Sequence, residues 1–547
     1  MKTQLSALAR SKFVKTLTEE EYDLLIIGGG ITGAGAARDA AMRGMKVALV
    51  EAHDFASGTS SRSSKLIHGG IRYLENLEFK LVFEALNERS KLFEMVPHLV
   101  HPLRFMLPLY ENSRVGMFKM GLGMWLYDAL ALFQVPEMHE QLNAFESLER
   151  IPAINSMDLK GSFVYSDGYM DDDRLVHETL RSAVEYGATV VNYVKAISRE
   201  TNLENTVQSI SCEDTLLGQK FRIKAKHVIS AVGPWTDLFG ESFLKDWKRT
   251  LRPTKGIHLT FKKERIELPC AVVMAAEKSS RIVFAIPRHE MVIVGTTDTD
   301  FKGDPSQVAA TKEDVDYLLK ITNEYFPGAQ LTVEDVIASY AGVRPLIADD
   351  AESEGKTSRE HAIWTERGVT FVAGGKYTTY RLMAEQVVDE SINHLPLDLK
   401  IRFTSANTAT ALNEWTHLES YQQALSTCEQ WNAKKLSYAD KLRLAERYGL
   451  EAKTLVESYG NQFSYWQIEA IQAIHTTMCL NLVDFYTRRV PLVLADPQHG
   501  LQLLEEISTI FSYYLNWDSN KLKEEVANLK AYLAKEMAWK GEALKES

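Results

Sequence analysis

Cysteine is scarce in this chain: four residues in 547, at Cys212, Cys270, Cys428 and Cys479, with neither a CxxC pair nor a zinc spacing among them. A disulfide-stapled scaffold is excluded, and buried thiols in a reducing compartment are expected. Low-complexity tracts are missing, as is any run of about 18 uncharged apolar residues, so nothing reads as a bilayer span. The first twenty residues carry Lys2, Arg10, Lys12 and Lys15 without an apolar core, which is not a secretory signal. Basic residues are not in excess either. Lys and Arg number 62 against 73 Asp and Glu, a net charge of −11, which argues against a general nucleic-acid binder. A locally basic pocket stays open.

What is present is an ordinary globular composition, 45% hydrophobic and 25% charged, long enough for two or three domains. The most informative segment is residues 23–51. An apolar strand runs into Gly28-Gly29-Gly30-Ile31-Thr32-Gly33, an alanine-rich helix follows, and a second strand ends in Glu51. In a dinucleotide-binding unit Gly28 makes the tight turn, Gly30 lets the backbone approach a pyrophosphate, and Gly33 lets helix and strand pack closely. The pyrophosphate lies on the helix N-terminus, at Ile31 and Thr32, and Glu51 accepts from the adenosine ribose.

A small polar loop, 57–64, then leads to His68-Gly69-Gly70-Ile71-Arg72-Tyr73, and residues 75–95 have a helical period. Residues 115–133 are almost wholly apolar, broken only by Lys119 and Asp128. They read as a buried helix of a substrate domain or as an apolar face resting on lipid, with composition favouring the first. Asp171-Asp172-Asp173 precedes a helix at 175–184 and reads as a solvated, dipole-favourable start rather than a metal site. Strand patterns recur at 189–194, 221–230, 257–261, 281–286 and 291–295, and a helix at 380–392. Beyond about residue 395 only helical periods remain, at 438–448, at 466–483, and in Leu522, Val526, Leu529, Leu533 and Met537 on one face of a final basic helix. That helix packs on its own domain or touches a membrane. The expected organisation is an N-terminal extension (1–20), a nucleotide-binding domain interleaved with a substrate domain (21–394), and an all-helical domain (395–547).

Several motifs are more specific than the glycine triplet: SSRSSKLIHGGIRYLE over 60–75, SAVGPW over 230–235, KGIH over 255–258, GTTD over 295–298, AGVRPL over 341–346 and GGKYTTYR over 374–381. In this order, with Asp484 and Arg488-Arg489 later, they resemble the respiratory FAD-dependent glycerol-3-phosphate dehydrogenases, within the wider class of flavoproteins similar to D-amino acid oxidase. The likeness covers nearly the whole chain. It implies an α/β fold with an FAD-binding Rossmann-like domain interleaved with a mainly antiparallel substrate domain, followed by a helical domain. It further implies non-covalent FAD, oxidation of sn-glycerol 3-phosphate at C2, and a quinone as electron acceptor. Peripheral attachment to the cytoplasmic face of a membrane follows from that acceptor, and a homodimer is compatible with it.

The resemblance also assigns residues. Thr59, Ser60, Ser61, Ser63 and Ser64 offer hydroxyls and N–H groups to FAD, and Gly233, Trp235, Gly374, Gly375, Lys376 and Thr378 form further cofactor contacts. Only the resemblance gathers Arg72, Arg344, Arg359 and Lys376 around one phosphate. Tyr73 donates to that phosphate or packs beside it. Arg344 grips the phosphate or lies by the C2 hydroxyl, where it would stabilise a developing alkoxide. His258 is the first candidate base and His68 the second, because a neutral imidazole titrates near working pH. The rival readings are an oxidase that passes electrons to oxygen and a non-catalytic flavin sensor. The first lacks room for an extra internal segment, and the second gives no reason for the retained cations.

Overall fold

The computed structural model describes residues 4–201, 207–244, 246–275, 281–289, 291–348, 361–403 and 405–541. The strand Glu21–Ile27 is apolar on both faces, with Leu24, Leu25 and Ile26 fully buried, as a strand inside a parallel sheet must be. It pairs in parallel with Val47–Val50 on one side and Gln219–Ser230 on the other. Thr189–Val191 and Val369–Gly374 extend this parallel core outward, and the antiparallel strand His361–Glu366 closes one edge. The helix Ile31–Met42 covers the sheet. Its alanines let it approach the helices Asp172–Glu185 and Tyr380–Ile392 so closely that a Cβ on Gly35 would fall 2.9 Å from that of Ala384.

The second sheet is mainly antiparallel, as expected, with one parallel pairing between Ala271–Ala275 and Val100–Tyr110. One of its two longest ladders joins Leu251–Lys262 to Val336–Ile347. The register Thr254↔Arg344, Gly256↔Gly342 and His258↔Tyr340, combined with the two-residue side-chain period, sets Arg344, His258 and Tyr340 on one face. This sheet therefore delivers cations and a histidine to the edge of the parallel sheet.

Beyond Val369–Gly374 no strand follows among the described residues, and the chain is helical. Tyr438–Tyr448 forms as its period predicts, capped by Ser437 and stopped at Gly449, whose φ is +56°. The single helix expected over 466–483 is instead two, Tyr465–Thr476 and Leu482–Arg488. The break holds Met478 at φ +48°, and Asn481 caps the second helix by accepting from Asp484 N–H. The last helix, Ser519–Glu536, buries Leu529 and Leu533 inside the protein, so the packed alternative is the one realised. All four cysteines are free and buried.

Two expectations are corrected. The 171–173 carboxylates are not solvated: Asp172 is fully buried, ion-paired with Lys65 and accepting from the Ser63 hydroxyl at 2.7 Å, while Asp171 takes Arg288. Partner cations distant in sequence make that burial tolerable. Nor is the 115–133 segment a fully buried helix. Met117–Leu130 turns Met124, Tyr127 and Asp128 inward but leaves Phe118 83%, Leu122 59% and Trp125 58% exposed. The polar groups decide which face goes in, because Tyr127 donates to Asp167 and Asp128 holds His139.

Candidate active site

A cavity of about 570 Å³ opens where the parallel strands end and the helix Ile31–Met42 begins, well inside the roughly 300–1,000 Å³ of cofactor sites. The glycine turn forms its floor for steric reasons. Gly28 has φ +114°, and a Cβ there would meet Ala231 O at 2.5 Å; one on Gly33 would lie 2.0 Å from Gly28 O. Only glycine fits either place. The helix N-terminus faces a loop hydroxyl, with Ser60 Oγ accepting from Ile31 N–H at 3.0 Å. Glu51 accepts from the N–H groups of Gly29 at 2.7 Å and His53 at 2.9 Å, and burial raises its carboxyl above the usual range.

Most of the expected cofactor residues line this cavity: Gly28, Gly30, Ile31, Thr32, Glu51, Thr59, Ser60, Ser63, Gly233, Trp235, Gly374, Gly375 and Lys376. Four stand behind it. Gly33 lies beneath the turn, Thr378 is bonded to the backbone of His68, Ser64 touches His258, and Ser61 faces a small cleft against the helical domain. Val194, Lys195, Asp304 and Ser306 also line the cavity. No local motif marks them, since the chain reaches that wall from two separate segments.

The substrate candidates form two groups beside the cavity. In the first, Lys376 Nζ sits 3.7 Å from the Tyr73 ring centroid, next to Arg72 in the turn Ile71–Leu74. His68 belongs to this group: its N–H donates to Thr378 Oγ1 at 3.1 Å, and that hydroxyl donates to His68 O at 3.2 Å. In the second, the Arg344 guanidinium donates to Asp298 at 3.1 Å, Thr296 Oγ1 at 2.9 Å and Thr297 O at 3.2 Å. Pro345 beside it lies in the cavity wall. His258 stacks on Tyr340 at 4.7 Å, and its Nε2 bonds Ser64 Oγ at 2.8 Å. Burial, aided by the Arg344 and Lys65 charges, holds this imidazole well below its usual range, so it stays neutral. Arg359 lies outside the described residues.

Sequence reasoning missed the supports of these groups. Asp298 and Thr296 lie in the GTTD motif but carried no assigned role, although they aim Arg344. Tyr340 is two register positions from Gly342 on the same face as Arg344, a placement that strand alternation alone could have supplied. The Lys65–Asp172 pair carries no local signal.

Residues 23–381 match the FAD dependent oxidoreductase family, and residues 406–522 match the C-terminal domain of alpha-glycerophosphate oxidase. The aerobic glycerol-3-phosphate dehydrogenase of Bacillus subtilis (strain 168) is 36% identical over 547 residues, covering 97% of this chain and 98% of that protein. The crystal structure of the glycerol-3-phosphate dehydrogenase from Bacillus halodurans complexed with FAD superposes with a TM-score of 0.80, at 29% identity over 97% of this chain and 98% of that one. L-alpha-glycerophosphate oxidase from Mycoplasma pneumoniae, at 19% identity, a TM-score of 0.55 and coverage of 72% and 98%, shares the fold. The cavity geometry and these likenesses agree: FAD is the cofactor, and the chain belongs to the FAD-dependent glycerol-3-phosphate dehydrogenase family.

Proposed function

We propose that this protein oxidises sn-glycerol 3-phosphate to dihydroxyacetone phosphate. The observation that carries the reading is a cofactor cavity whose wall includes Lys376, with its Nζ over the Tyr73 ring, and Pro345, the neighbour of Arg344 in sequence. Bound FAD supplies the acceptor for the hydride that leaves C2. Glu51 and the helix start at Ile31 hold its ribose and pyrophosphate. Lys376 and Arg72 neutralise the substrate phosphate and fix its orientation, and Tyr73 donates beside them. Arg344, aimed by Asp298 and Thr296, faces the C2 oxygen as the hydroxyl proton leaves.

His68 takes that proton. It is part-exposed beside the Lys376 turn with its backbone locked by Thr378, whereas His258 is 2% exposed and committed to Ser64. This reading reverses the order expected from sequence: His258 serves instead as the neutral partner that orients the loop serine.

The electrons pass to a quinone, with the protein resting on a membrane surface on the reducing, cytoplasmic side. No helix among the described residues is long and apolar enough to cross a membrane. Support comes from the apolar face formed by Phe118, Leu122, Trp125 and Leu126, with Phe133 just past the helix end, all exposed. The same helix reaches inward through Tyr127, whose hydroxyl accepts from Gly69 N–H at 3.0 Å, one residue from His68. The test is anaerobic mixing with sn-glycerol 3-phosphate while the flavin spectrum is recorded. Bleaching by this substrate but not by glycerol or amino acids, then faster reoxidation by a quinone analogue than by oxygen, is the expected result. A flavin that stays oxidised would end the reading, and faster reoxidation by oxygen would make the protein an oxidase.

A further inference from the structure

The helical domain offered no chemistry in the sequence, yet it grips the cofactor loop at both ends. The loop begins with Glu51 and runs through Ser57–Ser60 in the cavity wall to Arg62. Three residues past Glu51, Asp54 is 1% exposed and points away from the cavity into the helical domain. Its Oδ2 accepts from Arg488 Nε at 2.6 Å and Arg489 Nη1 at 2.8 Å, and its Oδ1 accepts from Arg489 Nη2 at 2.8 Å and Asn192 Nδ2 at 3.2 Å. Burial alone would raise this carboxyl, but the two guanidiniums outweigh it and hold Asp54 well below the usual carboxylate range.

The anchored stretch is sewn to the glycine turn. Ala56 N–H donates to Gly29 O at 3.0 Å, and the Phe55 ring sits so close that a Cβ on Gly29 would meet it at 2.8 Å. At the other end, Arg62 Nη2 donates to Glu536 Oε1 at 2.8 Å and Tyr532 Oη at 3.0 Å, both from the last helix. Between the anchors lies Ser60, which meets the helix N-terminus.

We propose that the helical domain sets the affinity for FAD, with Arg488, Arg489 and Glu536 as positioning residues that pre-form the 51–62 loop through Asp54 and Arg62. The inference rests on the FAD-dependent reading and adds a role for the second domain. The bidentate fork of Arg489 on Asp54 fixes orientation as well as proximity at one end, and at the other the charge-assisted bond of Arg62 Nη2 to Glu536, shared with Tyr532, holds the loop against the last helix. A loop already ordered loses little freedom when the cofactor arrives; a released loop must be ordered at that moment, and affinity falls. Linkage makes the effect reciprocal, so FAD should in turn tighten the docking of the helical domain.

The test titrates FAD into full-length apoprotein, following the change in flavin fluorescence, for wild type, Glu536→Gln, Arg489→Lys and a control, Glu451→Gln. The control breaks a different interdomain ion pair, Arg181–Glu451 at 2.7 Å, whose residues do not line the cavity. The FAD Kd should rise on the order of tenfold in Glu536→Gln and more in Arg489→Lys, and stay within about twofold in Glu451→Gln. Melting temperatures of the apoproteins separate affinity from stability: the two loop variants should lose affinity even where they melt no lower than the control. Hydrogen exchange should show 51–62 protected by FAD in wild type and less so in Glu536→Gln. Unchanged affinity in both loop variants overturns the proposal, as does an equal loss in Glu451→Gln. If Arg489→Lys does not fold, Glu536→Gln decides alone. Wild-type protein that takes up no FAD refutes the proposed function instead.

Discussion

Replacing Arg344 by alanine separates a catalytic role from a structural one, and the size of the effect follows from its surroundings. Its side chain is 25% exposed and its ion pair with Asp298 spans 3.1 Å. A pair so placed is screened by solvent, and its loss should cost folding about 0–1 kcal/mol, a small change in melting temperature. The catalytic cost is different in kind. A fixed donor aimed at a developing alkoxide is worth about 2.7–4 kcal/mol, or roughly 10²- to 10³-fold in rate. Arg344→Ala should therefore bind FAD and melt nearly as wild type, while the flavin-reduction rate constant with sn-glycerol 3-phosphate falls by at least about a hundredfold in anaerobic stopped flow. A companion variant probes position without removing charge. A Cβ on Gly256 would stand 2.4 Å from Arg344 Nη2 and 2.5 Å from Thr296 Oγ1, so Gly256→Ala must displace the guanidinium. Its reduction rate should fall by about tenfold or more. Reduction within about threefold of wild type in Arg344→Ala would refute the placement of this cation at the reacting oxygen.

Four further outcomes are expected. His68→Asn should slow flavin reduction by roughly 10²-fold or more and His258→Asn by much less, measured in the same stopped-flow assay; the reverse ranking would restore His258 as base. Gly33→Ala, which puts a methyl 2.0 Å from a backbone oxygen, should yield protein that purifies without flavin absorbance. Phe118→Asp with Trp125→Asp should abolish co-sedimentation with anionic phospholipid vesicles while leaving reduction by the soluble substrate unchanged. Asp484 concerns pH. Burial and the neighbouring Asp54 charge push its carboxyl up to about 7 against the pull of Arg488 and Arg489. A carboxyl raised in the folded state contributes stability below its unfolded value near 4, lost as pH climbs toward 7. Asp484→Asn should thus flatten the decline of melting temperature between about pH 4 and 7; a profile parallel to wild type would contradict the shift.

Much of this molecule was legible in local pattern because the local constraint is strong. Continuous apolar runs such as 24–27 can be buried on both faces only within a sheet, and Gly28 and Gly33 occupy positions where backbone atoms leave no room for a side chain. The helix at 438–448 ends where a glycine with positive φ stops it. Periodicity also found the segment 115–133 but not its orientation, which depends on Asp167 and His139 finding Tyr127 and Asp128.

The glycine turn and the acid at 51 were thus determined by the sequence itself, since both depend on residues adjacent along one strand–turn–helix unit, and the order of motifs over 60–381 carried the likeness that implied FAD. Tertiary structure alone decided which histidine meets solvent, which carboxylates are buried, and what the helical domain holds. Those answers rest on contacts such as Ser64–His258, Lys65–Asp172 and Asp54–Arg489, which join positions from 107 to 435 residues apart. No local propensity encodes such pairings; they form because a buried charge or hydrogen-bonding group must find its partner wherever the fold brings one.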